Sequence, residues 1–516
     1  MTVTALRVVK GAYLDSMLLM LATATMDADE GVSWAGATLA GARGLADLAA
    51  AGFSGGELDG LTANDLVLAV KAVDQDTAQA ALDAGREATS GERRESAAGA
   101  QEAGPADPAD LAEATRRTPG ANVAIVSVPG EYAALEAHHA LTAGLHVLLF
   151  SDNVPVEQEV ALKERGAELG LLVMGPGAGT AVLGGTGLAF ANHLSATGDG
   201  AVGVVAAAGT GAQEVSALLD RWGVPVSQVV GVGGRDLSAS VGGRTAALAA
   251  RALDADEATT AVLLVSKPPS PDAARAVLAE CTGTPAVAVF LGLAELDAPD
   301  GVTQAPTLEQ GALAAARLVG VTPPDVTAGL REQVAARLDR LDAARTRVRG
   351  LFSGGTLCYE AQYVLEGLLG PVFSNEPLRE AHTVEAAPEG AHLLLDLGAE
   401  QYTVGRPHPM IDPSARTAML REVADEADVA VVLMDVVLGH GAHADPAGQL
   451  AESCTLLQAA GVVVVAYLLG TESDPQGYSR QRAVLEQAGC LVPETNARGA
   501  YAAAALVRRD ADLAVL

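Results

Sequence analysis

Apolar positions along most of this chain fall into short continuous runs, separated by longer stretches in which they recur at helical spacing. "ANVAIVSVPG", "LHVLLFSDNV" and "LLVMGPGAG" alternate with "YAALEAHHALTAG" and "VEQEVALKERGAELG". Runs that are apolar at every position suit strands buried on both faces, and the segments between them suit amphipathic helices. That alternation predicts an α/β protein built on parallel, doubly wound sheets. The N-terminal stretch shows the same pattern: "TALRVVKGAYLDSMLLMLATATM" reads strand, Gly turn, helix, and "GVSWAGATLAGARGLADLAAAGF" and "NDLVLAVKA" continue it. Residues 88–119 are poor in large apolar groups and rich in Ala, Glu, Gly and Pro, and read as a mobile insertion.

The pattern then repeats. "DGAVGVVAAAGTGAQEVSALLDRWG" (199–223) parallels "VRGLFSGGTLCYEAQYVLEG" (348–367), each a strand, a small-residue turn and a helix with an early Glu. The segment 229–269 parallels 394–446, and "PAVAVFLG" (285–292) parallels "VVVVAYLLG" (462–470). The expected organisation is an N-terminal module over 1–197 followed by two similar α/β modules at 198–325 and 345–516.

Composition narrows the function classes. The chain has 516 residues, is 49% hydrophobic with 3% aromatic, and carries a formal charge of −31. So acidic a surface argues against nucleic acid and against an anionic membrane. The four cysteines (Cys281, Cys358, Cys454, Cys490) are widely spaced, which argues against a disulfide framework or a structural zinc site and fits a reducing cytoplasm. The apolar run at 17–26 is short and follows Asp15 directly, so it reads as a helix and not as a leader. No stretch approaches the roughly 18–20 apolar residues of a membrane span. A soluble cytoplasmic protein is expected.

Candidate chemistry lies in turns after strands. "AAAGTGAQE" and "FSGGTLCYE" each leave a strand and open a helix, so Gly209, Thr210 and Gly211, and Ser353, Gly354, Gly355 and Thr356, are candidate anion donors. A close strand–helix packing turn explains the same residues. Neither turn fits G-x-x-x-x-G-K-[ST], so neither is a nucleotide P-loop. "GGRDLS" supplies Arg235 and Asp236, and "YTVGRPHPMIDP" supplies Arg406, His408 and Asp412, spaced by prolines that stiffen the loop. An Arg fork matches carboxylate or phosphate, although an internal Arg–Asp pair accounts for the pattern equally simply. Lys267 follows a buried strand in "LLVSKPPS". "LMDVVLGHGAHADP" adds Asp435, His440, His443 and Asp445, read as surrounding acid/base or hydrogen-bonding groups and not as a metal site.

"GEYAALEAHHAL", "LFSDNV", "GLAFAN", "GTGAQE", "GVGGRDLS", "YTVGRPHPMIDP" and "DVVLGHGAHADPA" together resemble the FdrA family, which is related to the succinyl-CoA synthetase α subunit. The resemblance spans nearly the whole chain. It implies a CoA-binding-type Rossmann domain followed by two flavodoxin-like, succinyl-CoA-synthetase-type domains. Two activities follow from it. A CoA ligase of that kind works through a phosphorylated histidine in a loop after the strand here written "AVAVFLG", and "LAELDAPDGVTQAPTLEQG" contains no histidine. Members of the FdrA family also resemble a subunit of oxamate carbamoyltransferase, which needs no phosphohistidine, and that is the activity expected first. It implies His408 and Lys267 as catalytic groups and the turn residues with Arg235 and Arg406 as phosphate and carboxylate binders. Carbamoyl phosphate would be a substrate, no cofactor would be required, and CoA would be a secondary ligand. Small anions and further carbamoyltransferase subunits would be the partners, with self-association as an addition. The alternatives are an acyl-CoA synthetase-like protein and a non-catalytic assembly subunit.

Overall fold

A computed structural model describes residues 3–12, 16–27, 31–53, 55–56, 58–62, 64–89, 108–196, 201–293, 296–403 and 407–516. The chain divides into two compact units, one of residues 1–108 with 400–407, the other of residues 109–399 with 408–516.

The first unit runs β1 (Val3–Val9), α1 (Ser16–Asp27), β2 (Val32–Leu39), α2 (Ala42–Ala50), β3 (Leu66–Ala72) and α3 (Gln75–Thr89). Its sheet has the order β1-β3-β2, and both pairings are antiparallel. This corrects the parallel reading of the N-terminal stretch. A split βαβ, in which a third strand inserts between the first two, has the same strand–helix order as a parallel pair, so periodicity cannot separate them. Period-two alternation along β3 then builds two cores: Leu66, Leu68 and Val70 pack with Met26 and Leu82, while Val67 and Ala69 pack with Leu48 and Phe53.

The second unit opens with α4 (Leu111–Arg117). Its start is a reciprocal cap: Glu113 N–H donates to Asp110 (2.7 Å), and Ala109 N–H donates to the Glu113 carboxylate (2.8 Å). The insertion read at 88–119 is therefore shorter at both ends, with 88–89 completing α3 and 111–117 helical; residues 90–107 lie outside the described residues. A three-stranded parallel sheet follows: β4 (Val123–Val126), β5 (His146–Leu149) and β6 (Val173–Met174), connected by α5 (Gly130–Thr142) and α6 (Val156–Leu169).

The repeat appears as two sheets of one topology. In the first, β7 (Thr180–Leu183) and β8 (Thr186–Ala189) form a hairpin on the edge next to β10. The sequence then runs β9 (Ala201–Ala207), α7 (Gly209–Arg221), β10 (Val226–Gly231), α8 (Arg244–Asp254), β11 (Thr259–Ser266), α9 (Pro271–Leu278), β12 (Ala286–Phe290), β13 (Val302–Gln304) and α10 (Leu308–Leu318). After α11 (Leu330–Leu338) come β14 (Arg347–Phe352), α12 (Gly355–Leu369), β15 (Val372–Ser374) and β16 (His392–Asp396). A short helix of the first unit, α13 (Glu400–Thr403), precedes α14 (Ser414–Val423), β17 (Val429–Val437), α15 (Pro446–Ala459), β18 (Val463–Leu469), α16 (Tyr478–Gln487) and α17 (Asn496–Arg508). The orders β10-β9-β11-β12 and β16-β14-β17-β18 match, and all these strands are parallel. In such a doubly wound order the crevice for a ligand opens where the chain reverses direction, beside the starts of α7 and α12. Among the described residues no helix is long and apolar enough to cross a membrane.

The two modules share one core, in which Val204 and Val265 join Leu357, Leu433 and Ala503. Six of the ten buried residues of helix α17 are alanine, which lets it lie close against α12. Inside this core the early glutamates of the repeat cross over. Glu360 of α12 accepts the first backbone N–H of α10, from Leu308 (2.6 Å). Glu214 of α7 accepts the first backbone N–H of α17, from Asn496 (3.3 Å). The Asn496 side-chain amide donates in turn to Glu360 (2.8 Å). Each module thus caps the last helix of the other. Burial, with the facing Glu360 charge, pushes Glu214 up to about 8. Burial pushes Glu360 up to about 7.

Two outcomes follow from these caps. Glu360→Ala strands the Leu308 N–H and the Asn496 amide and should cost on the order of 3 kcal/mol in urea unfolding. A carboxyl whose pKa is raised by folding stabilises most below its unfolded value, near 4.5, and loses that contribution as pH rises through the folded value. Glu214→Gln should therefore flatten the fall in stability between about pH 5 and pH 8, read as the urea midpoint against pH.

Candidate functional site

The starts of α7 and α12 lie against each other. A Cβ on Gly354 would come within 2.6 Å of the Thr210 side chain, and one on Gly211 within 3.0 Å of the Thr356 methyl. These two glycines are there for close packing between modules, the simpler of the two explanations. Gly209 differs, since its face is open: a Cβ placed there would meet nothing within 4 Å. The preceding residue, Ala208, brings no side-chain cap, so the α7 start keeps its donors.

The α12 start is already filled. Ser353 donates from its N–H (2.8 Å) and hydroxyl (2.7 Å) to one oxygen of Asp435, and Gly354 N–H donates to the other (2.7 Å). Arg416, 2% exposed, closes on the same carboxylate (2.9 Å) and on the Asp435 carbonyl (2.7 Å). The phosphate cradle expected from Ser353 and Gly354 is thus occupied by the chain's own anion. Asp435 sits at the carboxyl end of β17, one strand away, where a parallel sheet naturally delivers a side chain to a neighbouring helix start.

Beside this turn a second carboxylate has fewer partners. Asp396 ends β16 and accepts from Gly398 N–H (2.9 Å). A Cβ on Gly355 would come 2.4 Å from its other oxygen and 3.4 Å from the Lys267 ammonium, so lysine and carboxylate flank the same glycine. Burial pushes Asp396 up to about 6, against the pull of Lys267. Lys267 arrives from the end of β11 in the other module and lies 5.9 Å from the Tyr359 ring centre. Burial also pushes the Tyr359 hydroxyl up to about 12.

His408 completes the cluster. Its Nδ1 accepts from Met410 N–H (3.3 Å), which leaves Nε2 to carry the proton of the neutral ring. A Cβ on Gly398 would meet that Nε2 at 2.7 Å and an Asp396 oxygen at 3.2 Å. Burial holds His408 down to about 4, although Asp435 pulls the other way. At neutral pH the histidine is therefore a neutral donor, and Asp396 is the group poised to exchange a proton. In the sequence Asp396 stands inside the apolar run "HLLLDLG". A lone carboxylate at the carboxyl end of such a strand is the signal that marks it.

The remaining candidates lie elsewhere. Asp236 is fully buried, paired with Lys163 (2.7 Å) and accepting from Thr245 and Ala246 N–H at the start of α8. Arg235 pairs with Glu159 (2.9 Å) and donates to the Val154 carbonyl. The expected substrate clamp is an internal ion-pair network holding the loop to α6. Asp412 accepts from Ser414 N–H, a local turn before α14. His443 and Asp445 tie their loop together and to Gln481 of α16. His440 stacks on His193 with ring centres 4.0 Å apart. Arg406 lies outside the described residues.

Comparison with known proteins gives these modules a context. A family model described as CoA-ligase matches residues 351–506, and one described as AllF, heavy metal-associated domain, matches residues 1–105. The Escherichia coli (strain K12) protein YahF, described as uncharacterized, is 39% identical over 400 residues, covering 75% of this chain and 77% of its own. Among solved structures, a dinucleotide-forming acetyl-coenzyme A synthetase of Ca. Korarchaeum cryptofilum aligns at 14% identity over 76% of this chain and 84% of that one, with a TM-score of 0.28. An ATP citrate lyase of Methanothrix soehngenii aligns at 18% identity over 42% and 38%, with a TM-score of 0.30. The carbamoyltransferase expectation is corrected by the family match: the module that holds Asp396, His408 and Asp435 is of CoA-ligase type.

The geometry separates a fully paired carboxylate, Asp435, from one with fewer partners, Asp396. Asp435→Ala would leave the buried Arg416 cation unpaired and should destabilise the protein by about 3–5 kcal/mol. Asp396→Asn keeps the acceptor for Gly398 and removes a charge held at cost by burial. Its unfolding midpoint at pH 8 should equal or exceed that of the wild type, and the difference should disappear below about pH 4. Thermal unfolding at the two pH values reads both.

Proposed function

The chain belongs to the family of Escherichia coli YahF and carries a CoA-ligase-type, succinyl-CoA-synthetase-like domain, and on that premise we propose that it acts as an acyl-CoA synthetase-like protein on a small carboxylate. The observation that carries the reading is the convergence of Asp396, Lys267 and His408 beside two abutting helix starts, drawn from both modules of the repeat. In the step assigned to this chain, an acyl phosphate meets the CoA thiol. The sulfur–carbon bond forms, the bond from the acyl carbon to the phosphate oxygen breaks, and phosphate leaves. The thiol proton passes to Asp396, whose pKa near 6 leaves it mostly ionised at neutral pH and able to accept. Lys267 and the uncapped α7 donors stabilise the departing phosphate, and the neutral His408 donates to the acyl oxygen as charge develops there. The chain has no P-loop motif, so formation of the acyl phosphate from a nucleotide is assigned to a partner polypeptide.

Thioester formation from acetyl or succinyl phosphate and CoA tests this without the partner. Wild type should catalyse it, with a rate that rises through about pH 6 as Asp396 ionises. Asp396→Asn should lower kcat by 10²-fold or more, by the general-base range of about 10²–10⁴. Lys267→Ala should raise KM for the acyl phosphate. A wild-type protein that binds neither CoA nor acyl phosphate in calorimetry would favour the second reading, a non-catalytic assembly subunit. The occupation of the α12 start by Asp435 is the observation behind that alternative.

A further inference from the structure

The N-terminal unit matches a heavy-metal-associated family, and its donor set disagrees with that description. Structural zinc sites in proteins are built from four thiolate or imidazole ligands, with carboxylate an additional donor type elsewhere. Every cysteine of this chain lies at or beyond Cys281, and every histidine at or beyond His138. Residues 1–105 therefore contain neither ligand type. The sulfur they do contain is thioether. One of those methionines, Met26, is fully buried in the unit's core, where a Cβ on Gly85 would come within 2.6 Å of its sulfur.

Gly11, just after β1, is held by a carboxylate. Asp65, 6% exposed, accepts from Gly11 N–H (2.9 Å), from Thr62 N–H (2.8 Å) and from the Thr62 hydroxyl (3.1 Å). Gly11 takes a φ of +65°, a conformation that suits glycine and presents its N–H to this carboxylate. One side chain thus bridges the turn after β1 and the turn before β3. Its two oxygens take three donors of the chain itself, and a carboxylate bonded in this way is a poor ligand for a metal ion. Packed cores lie on both faces of the sheet.

We infer that residues 1–105 keep the heavy-metal-associated fold without its metal function, and that the Asp65 carboxylate holds Gly11, just after β1, to the turn before β3. Full-length protein is incubated with zinc or cadmium, dialysed, and examined by elemental analysis together with hydrogen exchange of peptides from 1–105. Exchange in those peptides should be unchanged by either metal. Metal retained on the protein without protection there also supports the inference, because the cysteines and histidines lie in the other unit. Saturable protection of those peptides at one equivalent of metal would overturn it. Asp65→Ala provides the second arm: exchange at 3–12 should rise several-fold with no metal present. An unchanged exchange rate in that variant would remove the role assigned to Asp65.

Discussion

Two buried glutamates tie together the two modules of the second unit. A helix start leaves backbone N–H groups without partners, and burying it inside a protein demands an acceptor. Here the N-cap threonines of the last helices, Thr307 and Thr495, each take one N–H, and the first N–H of each helix goes to a glutamate of the other module: Glu360 serves α10, and Glu214 serves α17. Arg498 of α17 adds a second crossing, pairing with Glu309 of α10 from a buried position. The modules cannot separate without exposing these groups, so the starts of α7 and α12 stay in contact. The glycine approaches of Gly211 and Gly354 are a consequence of that fixed distance.

The same arrangement explains how so acidic a protein keeps charged groups in its interior. Arg416 sits on Asp435, Lys163 bridges Glu159 and Asp236, and Arg498 sits on Glu309, each pair enclosed by packing. Buried pairs of this kind contribute little net stability but are costly to break, so they act as fixed points. Against that background the carboxyls with incomplete pairing stand out. Asp396 has one lysine at the edge of its reach, and Glu214 faces another glutamate. Burial raises both, and Asp396 lies at the carboxyl end of β16, beside the start of α12.

Much of this was legible before folding is considered. The alternation of apolar runs and amphipathic segments predicted parallel α/β layers, and the repeat predicted two modules of equal topology. The early Glu after each Gly-Thr turn was visible as part of that repeat, though not its role, because its partner Asn496 is 282 residues away from Glu214. Arg235 and Asp236 looked like a ligand clamp because the sequence shows the pair and hides Lys163 and Glu159, which fold onto it from α6. The N-terminal stretch looked parallel because strand order in space is not encoded in the order of elements along the chain.

Local periodicity and spacing therefore determined which segments are strands and helices, where the repeat lies, and that thiolate and imidazole ligands are missing from residues 1–105. These follow from near neighbours along the chain. Tertiary structure alone decided that β3 inserts between β1 and β2, that Asp435 is bonded to Ser353, Gly354 and Arg416, and that burial pushes Asp396 up to about 6. Two aspartates at the carboxyl ends of parallel strands are chemically alike in the sequence. Burial and the donors that reach each one from distant segments lock one into the frame and leave the other free to titrate.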